Sequence, residues 1–229
     1  MKLLSVSDLH FNRALFAGLD RAVAKHNPDI LAVVGDTAAF FEPPKGVLDP
    51  TEAARLLAET AGKRPVVFVR GNHDREDPWR QFWSHRRHTW VLLEGSGCDI
   101  FGVGFVGFPS EYNSDTLDLL EWRAWLLKLP VSQQRGVWLM HEPPTDEIAD
   151  WQCVASRWRY PIRRFAPVLT LSGHDHSTSL RTCRWRAHVG DSVVVCAGQG
   201  NARLRYIVAD IDPRPGAAPV LRSVERFVA

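Results

Sequence analysis

The sequence predicts an α/β fold in which two stacked mixed β-sheets are flanked by helices. Short apolar runs alternate with amphipathic segments through the first two-thirds of the chain, and strand-like segments follow one another in the last third. Alternating strands and helices are typical of sheets with helices on their faces, and successive strands are typical of a β-meander. Together the two patterns predict a four-layer sandwich with the helices outside.

Three apolar runs in the first part of the chain are expected to be strands, at residues 3–7, 30–34 and 66–69. Helical spacing predicts a helix from Leu15 to His26, which Asn27-Pro28 ends. A second helix is expected from an N-cap at Thr51 to Ala61, closed by Gly62. A short helix is expected over residues 76–84.

The second part of the chain is expected to begin with two strands within residues 90–108, joined at Gly95-Ser96-Gly97. A helix capped by Asp115 or Thr116 extends to about Lys128, and another helix, interrupted by Pro161, lies within residues 153–165. The remaining strands are expected at residues 137–140, 168–171, 180–185, 192–196, 204–210 and 220–227. The last two strands are joined by a turn at residues 213–219.

Composition is that of an ordinary globular protein, with 45% apolar and 24% charged residues in a chain of 229. We expect residues 1–229 to form a single domain because no linker or repeat interrupts them. No apolar run approaches the ~18 residues of a membrane span, and the first strand begins too early for a signal peptide, which favours a cytoplasmic protein. The net charge of +2 does not indicate nucleic-acid binding.

Five predicted strands are each followed directly by Asp, Asn or His. The motifs are DLH at 8–10, GD at 35–36, GNHD at 71–74, HEPP at 141–144 and GHDH at 173–176. Open α/β sheets place their sites at the carboxyl ends of strands, so we expect these side chains to lie together. In the first motif, an extended strand end points Asp8 and His10 the same way and turns Leu9 toward the core.

These residue types predict a site for two metal ions. Carboxylate, imidazole and amide oxygen suit Mn²⁺, Fe²⁺/Fe³⁺ or Zn²⁺. Two such ions need a bridging carboxylate, for which Asp36 is the natural candidate. One ion is expected on Asp8, His10 and His176, and the other on Asn72, His141 and His174.

The five motifs, in this order, resemble those of the calcineurin-like metallophosphoesterase family from about Asp8 to His176. The resemblance implies a metal-dependent hydrolase that cleaves a phosphomonoester or phosphodiester by attack of a hydroxide shared by two ions. It places the first ion on Asp8, His10, Asp36 and His176 and the second on Asp36, Asn72, His141 and His174. It also implies that His73 acts on the leaving group and that Asp74 supports His73.

The substrate class is less sharply indicated. Arg70 precedes GNHD, and "RGNH" resembles the protein-phosphatase branch, in which this arginine grips the phosphate. Arg70 and Asn72 are therefore candidate substrate-binding residues, although Arg70 can equally be explained as a structural partner of nearby acidic residues. The Asp-Arg-Gly of that branch is missing after Asp36, and GHDH resembles smaller phosphodiesterases and nucleotide hydrolases.

We therefore expect a small-molecule or nucleotide phosphoester as substrate and no membrane partner. The segments 79–90 and 157–164 mix arginines with aromatic residues, as in single-strand binders, but a helix face that packs inward is favoured at this net charge. A catalytically silent metal-binding scaffold and a phosphoprotein phosphatase remain alternatives. A nuclease is disfavoured because the chain has little room for an added DNA-binding segment. A lipid-precursor hydrolase is disfavoured because the helix at 116–128 fits core packing.

Overall fold

A computed structural model describes residues 1–37, 47–74, 90–93, 95–108, 110, 119–200 and 202–229. The short helix expected at residues 76–84 and the helix caps expected at Asp115 or Thr116 lie outside these residues, as does nearly all of the aromatic and basic segment 79–90.

The described residues form strands and helices that alternate at first and are mostly strands near the end. The strands are β1 (Lys2–Val6), β2 (Ile30–Val34), β3 (Val66–Val69), β4 (Trp90–Leu92), β5 (Ser96–Ile100), β6 (Val103–Gly107), β7 (Val137–Leu139), β8 (Leu169–Ser172), β9 (Arg186–Val189), β10 (Ser192–Cys196), β11 (Arg205–Asp212) and β12 (Val220–Val228). The α-helices are α1 (Arg13–His26), α2 (Pro50–Ala61), α3 (Leu119–Leu126), α4 (Val131–Gln134), α5 (Arg159–Phe165) and α6 (Thr178–Thr182). Short 3₁₀ helices span Trp151–Cys153 and Ser156–Trp158.

The strands form two mixed sheets with parallel centres. The first has the order β12-β11-β1-β2-β3-β4, in which β1 to β4 are parallel and β11 and β12 are antiparallel additions. The second has the order β5-β6-β7-β8-β10-β9, with β6, β7, β8 and β10 parallel and an antiparallel strand at each edge. Each sheet thus directs several strand ends toward one edge, where polar loops can meet.

Three apolar layers hold the sheets and helices together. Alternate residues of a strand point to opposite faces, so Ile30 packs between the sheets while Leu31 packs under α1 and α2. On the far face of the second sheet, Trp138 of β7 packs with Ile162 of α5 and with Leu126 of α3. Helices therefore cover both outer faces, which confirms the predicted fold class of two stacked mixed sheets flanked by helices.

Side-chain caps define where the first two helices begin. Asn12 caps α1 by accepting the backbone N–H of Ala14 at 2.9 Å. The predicted N-cap of α2 at Thr51 is wrong, because Asp49 accepts the N–H groups of Thr51 and Glu52 at 2.9 and 3.0 Å. The intervening Pro50 suits the first helical position, since it has no N–H to satisfy.

The prediction for residues 90–108 is wrong in part, and the strand predicted at 180–185 is wrong, since the next strand, β9, begins only at Arg186. Residues 90–108 contain three strands: β4 joins the first sheet beside β3, and β5 and β6 form a hairpin that turns at Phe101-Gly102 rather than at Gly95-Ser96-Gly97. Residues 178–182 form α6 because the Asp175 carboxylate accepts the N–H groups of Ser177 and Thr178.

The helix predicted within residues 153–165 is divided. Two 3₁₀ turns precede α5, and Pro161 lies in the first turn of α5, where a missing N–H breaks no intrahelical bond. The turn predicted at 213–219 is confirmed, since it joins the antiparallel pair of β11 and β12. None of the helices in the described ranges combines the length and the hydrophobicity needed to span a lipid bilayer.

Candidate metal centre

The carboxyl ends of five strands meet between the two sheets. Loops after β1, β2 and β3 of the first sheet and after β7 and β8 of the second carry the predicted ligands. The structure brings together Asp8, His10, Asp36, Asn72, His141, His174 and His176. Parallel strands on both sides make this convergence possible, because each delivers its following loop to the same edge.

The loop after β1 is not the extended strand end that the sequence predicted. β1 ends at Val6, and Asp8 and His10 have left-handed backbones with φ of 54° and 44°. Their N–H groups donate to the carbonyls of Gly35 and Asp36, each at 3.0 Å, so this loop is held by the loop after β2. Leu9 is fully buried, as expected.

Left-handed backbone recurs among the predicted ligands. Asp36 and His174 have φ of 49° and 66°, in addition to the two residues of the first loop. Such a conformation costs a non-glycine residue about 1–3 kcal/mol and is concentrated at functional sites, where the surrounding structure imposes it. We infer that the left-handed backbone at these strand ends helps to place the ligand side chains.

Three of the ligands form what we call the outer group: Asp8, His10 and His176. Nε2 of His10 lies 3.1 Å from Nε2 of His176, which lies 3.4 Å from Oδ1 of Asp8. Asp8 is buried, whereas the two imidazoles are half-buried. One donor atom from each residue lies within 4.8 Å of the others, a spacing suited to a single cation.

Four further residues form the inner group: Asp36, Asn72, His141 and His174. Nε2 of His141 lies 3.2 Å from Oδ2 of Asp36 and 3.1 Å from Oδ1 of Asn72. The same amide oxygen lies 3.0 Å from Nδ1 of His174. Asp36 and His141 are buried, and one donor atom from each of Asp36, His141 and His174 lies within 4.8 Å of the other two.

A divalent cation fits the inner group because of the way His141 is held. Its Nδ1 lies 3.0 Å from the carbonyl oxygen of Val34, which can only accept, so Nδ1 carries the proton. Nε2 faces two acceptor oxygens, those of Asp36 and Asn72. These three atoms require a positive charge among them, which either a proton on Nε2 or a divalent ion bound to its lone pair supplies. Oxygen and imidazole donors suit Mn²⁺, Fe or Zn²⁺.

The pKa values of the inner group reflect the same need for positive charge. Burial by itself lowers the pKa of His141, but the carboxylate of Asp36, assisted by Asp8, outweighs burial and raises that pKa to about 10. Burial acts to raise the pKa of Asp36, yet His141 brings it below its usual value. His174 has a lowered pKa, because of its burial and then because of the charge on His141.

The outer group contains a similar pairing of a carboxylate with an imidazole, Asp8 with His176. Burial acts to raise the pKa of Asp8, but hydrogen bonding to His176 and the charge on His141 bring that pKa well below its ordinary value. The pKa of His176 is raised, chiefly by its hydrogen bond to Asp8. A buried carboxylate therefore remains ionised in each group and attracts cations.

The candidate catalytic residues lie beside Asp36. The backbone N–H of His73 donates to Oδ1 of Asp36 at 2.9 Å, and Nε2 of His73 lies 3.8 Å from Oδ2. The His73 ring lies edge-on to that of His10, with centroids 5.5 Å apart. Asp74 is buried and its carboxylate accepts the N–H of Gly71 at 2.9 Å, which closes the GNHD turn. Arg70 follows β3 directly and is half-buried.

Two glycines of the motifs are explained by close packing at the site. Gly35 has a φ of +79°, and a Cβ there would overlap the His141 ring. A Cβ at Gly71 would overlap the carboxylate of Asp36. Each glycine directly precedes a predicted ligand, Asp36 or Asn72. Glycine is needed at both positions because the backbone there lies too close to the inner group for a Cβ.

Two acidic residues within the motifs were not singled out from the sequence. Glu142 is buried next to His141 and accepts a hydrogen bond from the Ser110 hydroxyl. Asp175 is buried between His174 and His176, and hydrogen bonds from three backbone N–H groups hold its carboxylate in place. Their position inside HEPP and GHDH is the feature of the sequence that could have indicated them. An acidic residue beside or between metal ligands is held at the site with those ligands.

The sequence profile of the family described as calcineurin-like phosphoesterase matches residues 1–178. The chain belongs to the calcineurin-like phosphoesterase family. The match confirms the resemblance on which the motif assignment was based. It includes all five strand-end motifs, and the strands beyond residue 178 complete both sheets. No curated protein sequence matches the chain significantly.

Solved structures share the fold of this calcineurin-like phosphoesterase at low sequence identity. The protein TT1561 of Thermus thermophilus is 16% identical with a TM-score of 0.67, over 99% of this chain and 97% of the other. A dimetal phosphatase from Danio rerio is 14% identical with a TM-score of 0.59, over 100% and 98%. A novel archaeal phosphodiesterase is 12% identical with a TM-score of 0.59, over the whole of both chains. These similarities support the fold class.

Proposed function

We propose that this protein is a dinuclear-metal-dependent phosphoesterase that hydrolyses a small-molecule or nucleotide phosphoester. The observation that carries the proposal is the convergence of the outer and inner groups. Three donor atoms in each group, from Asp8, His10 and His176 and from Asp36, His141 and His174, lie within 4.8 Å of one another. Family membership supports phosphoester hydrolysis as the reaction class. The solved structures of similar fold include a phosphatase and a phosphodiesterase, so both monoesters and diesters are candidate substrates.

Asp8, His10 and His176 would hold one divalent ion, and Asn72, His141 and His174 would hold another. Asp36 would serve both ions, because its carboxylate contacts His141 of the inner group and its charge also acts on His176 of the outer group. When bound, two such ions polarise phosphoryl oxygens and lower the pKa of a nearby water molecule. Mn²⁺, Fe²⁺/Fe³⁺ and Zn²⁺ all suit this donor set.

Hydrolysis breaks the phosphorus–oxygen ester bond, adds the oxygen of water to phosphorus, and leaves a proton for the departing oxygen. We propose that His73 supplies that proton or stabilises the departing charge, because its ring lies at the edge of both groups. Asp36 orients His73 through its backbone N–H, and Asp74 holds the turn that carries it.

Arg70 and Asn72 are the proposed substrate-binding residues. Arg70 is half-buried at the end of β3 and would place a guanidinium, which can bind two phosphate oxygens at once, next to the GNHD turn. The Asn72 amide oxygen already lies among the inner ligands, so its remaining amide hydrogens are available to a phosphoryl oxygen. A terminal phosphate would gain most from Arg70.

The test is reconstitution of metal-free protein with Mn²⁺, Fe²⁺ or Zn²⁺, followed by a panel of substrates. The panel contains an aryl phosphomonoester, an aryl phosphodiester, cyclic nucleotides, a phosphopeptide and single-stranded DNA. We expect hydrolysis of a monoester, a diester or a nucleotide that requires two ions per chain. Preference for the phosphopeptide would favour the phosphoprotein phosphatase instead.

Asp36→Asn should lower turnover by at least about 1,000-fold, because the substitution removes the negative charge proposed to serve both ions. Asp20→Asn, on the exposed face of α1, is the matched control and should leave turnover unchanged. If wild-type protein binds two ions and still cleaves no substrate of the panel, the protein is a metal-binding scaffold and the proposed activity is wrong.

A further inference from the structure

Asp175 separates two predicted ligands, His174 of the inner group and His176 of the outer group. Asp175 is 2% exposed, and both oxygens of its carboxylate accept hydrogen bonds. Oδ1 accepts the backbone N–H groups of Ser177 and Thr178, each at 2.8 Å, which is a local turn at the start of α6. Oδ2 accepts the N–H of Asp150 at 2.5 Å, across 25 residues of sequence.

The Asp150 amide belongs to a folded loop, residues 143–155, that follows the inner ligand His141. The N–H of Ala155 donates to the carbonyl of Pro143 at 2.9 Å, which closes the two ends of this loop on each other. Asp150 caps a 3₁₀ turn within it by accepting the N–H of Gln152 at 3.1 Å. The 143–155 loop is thus a compact unit, and Asp175 fastens it to the segment that carries His174 and His176.

Further bonds connect the same segments around Asp175. The N–H of Gly173 donates to the carbonyl of His141 at 2.9 Å, and the N–H of His174 donates to the Asp8 carboxylate at 3.1 Å. These two bonds hold the residues that precede Asp175, and the bonds from Ser177 and Thr178 hold the residues that follow it. The bond to Asp150 extends from a side chain in the middle of GHDH to the 143–155 loop.

We propose that Asp175 is a positioning residue, whose carboxylate ties the 143–155 loop to the His174–His176 segment and so keeps ligands of both groups in metal-binding geometry. This inference rests on the proposed function, since it takes the two groups to be metal sites. Loss of a hydrogen-bond partner that orients metal ligands typically lowers metal affinity about 10- to 100-fold, and this range sets the expected effect.

Asp175→Asn separates the loop tie from the local turn. The Asn Oδ1 can still accept the N–H groups of Ser177 and Thr178, because Asn caps as well as Asp does. Its Nδ2 is a donor and would face the donor N–H of Asp150, so the tie alone is lost. Asp49→Asn is the matched control, since the Asp49 carboxylate likewise accepts the N–H groups of the second and third residues after it, in the first turn of α2.

The first measurement is hydrogen exchange at the Asp150 amide, and the second is the affinity for Mn²⁺ and for Zn²⁺ by calorimetric titration. In Asp175→Asn we expect the Asp150 amide to exchange faster and both metal affinities to fall about 10- to 100-fold. In Asp49→Asn both quantities should equal those of wild type. A purely structural role would lower stability toward urea in Asp175→Asn while leaving the metal affinity of the folded protein unchanged.

A second pair of variants removes the same bond from its other end. Asp150 has φ of −64°, which is the value that proline adopts, so Asp150→Pro deletes the N–H with little change to the backbone. Asp150→Ala keeps the N–H and loses the cap on Gln152, as Asp150→Pro also does. The metal affinity of Asp150→Pro should therefore be lower than that of Asp150→Ala by the same factor as for Asp175→Asn.

Each outcome decides the proposal. Wild-type metal affinity in Asp175→Asn with a freed Asp150 amide would show that the tie does not position the ligands. An Asp150 amide that stays protected in Asp175→Asn would show that the tie does not hold the loop. If wild-type protein binds neither Mn²⁺ nor Zn²⁺, the proposed function falls together with this inference, which distinguishes that result from the other two.

Discussion

The outer and inner groups use similar residues but hold them differently. His141 of the inner group is 0% exposed, and the Val34 carbonyl sets its ring orientation. His176 of the outer group is 34% exposed, and its ring nitrogen contacts Asp8 and His10. A buried ligand that a backbone carbonyl orients is in place before a cation arrives, whereas half-exposed imidazoles can adjust. We therefore expect the inner group to bind its cation more tightly than the outer group does.

The largest expected effect comes from deleting one imidazole of each group. His141→Ala should lower affinity for the inner cation more than about 100-fold and destabilise the metal-free protein by about 3–5 kcal/mol, because the buried Asp36 carboxylate loses its partner. His176→Ala should destabilise the protein less than His141→Ala does, because solvent reaches that side chain and the Asp8 carboxylate keeps the N–H of His174 as a donor. Metal content after dialysis and urea unfolding measure the two quantities.

The comparison also predicts which ion each variant keeps. His176→Ala should retain one tightly bound ion per chain, and His141→Ala should retain at most a weakly bound one. Equal metal loss in the two variants would contradict the distinction between a prearranged inner group and an adjustable outer group.

The next effect concerns His73, which touches both groups without belonging to either. His73→Ala should lower turnover about 100- to 10,000-fold, the usual contribution of a general acid, while metal content stays at the wild-type level. Steady-state kinetics and elemental analysis of the same preparation test this. Loss of metal in His73→Ala would place His73 among the ligands instead.

A smaller effect is expected from the backbone that supports the inner group. Gly35→Ala introduces a Cβ into the His141 ring at a φ of +79°. Gly216→Ala has a similar φ of +73° but meets nothing within 4 Å, so it isolates the cost of the backbone conformation alone. Gly35→Ala should be less stable than Gly216→Ala by about 1–3 kcal/mol, a typical cost of overpacking.

Urea unfolding of the two alanine variants measures that difference in stability. Metal titration shows whether the added Cβ also disturbs the ligands of the inner group. We expect Gly35→Ala to weaken metal binding and Gly216→Ala to leave it unchanged. Equal stabilities would mean that the His141 ring moves aside at no cost and that the inner group is less rigid than its burial indicates.

Much of this architecture could be predicted because its signals are local. Buried strands such as β2 and β3 are continuous apolar runs, and their ends are marked by glycine followed by a polar residue. Where two residues were equally good candidates for one structural role, neighbouring residues or tertiary contacts determined which of them took it. Asp49 and Thr51 are both good caps, and Pro50 selected Asp49 by favouring the first helical position.

The same limit explains the errors near residues 90–108 and 180–185. β4 is a strand because β3 offers it a pairing edge, which no local pattern shows. The segment from Leu180 was expected to begin a strand, but the Asp175 carboxylate starts a helix just before it by accepting two N–H groups.

By itself, the sequence determined the alternation of strands and helices, the fold class, the family and the residue types at the five strand ends. These follow from short-range periodicity and from motifs a few residues long. Only the tertiary structure decided that Asp8 and His10 leave their strand through left-handed backbone and that His141 is oriented by Val34. It also decided that Asp175 reaches Asp150. Those features depend on atoms that are distant in sequence. Pairing within the first sheet brings Asp8 and His10 to the loop after β2, pairing within the second sheet brings Asp175 near Asp150, and stacking of the two sheets brings His141 to Val34.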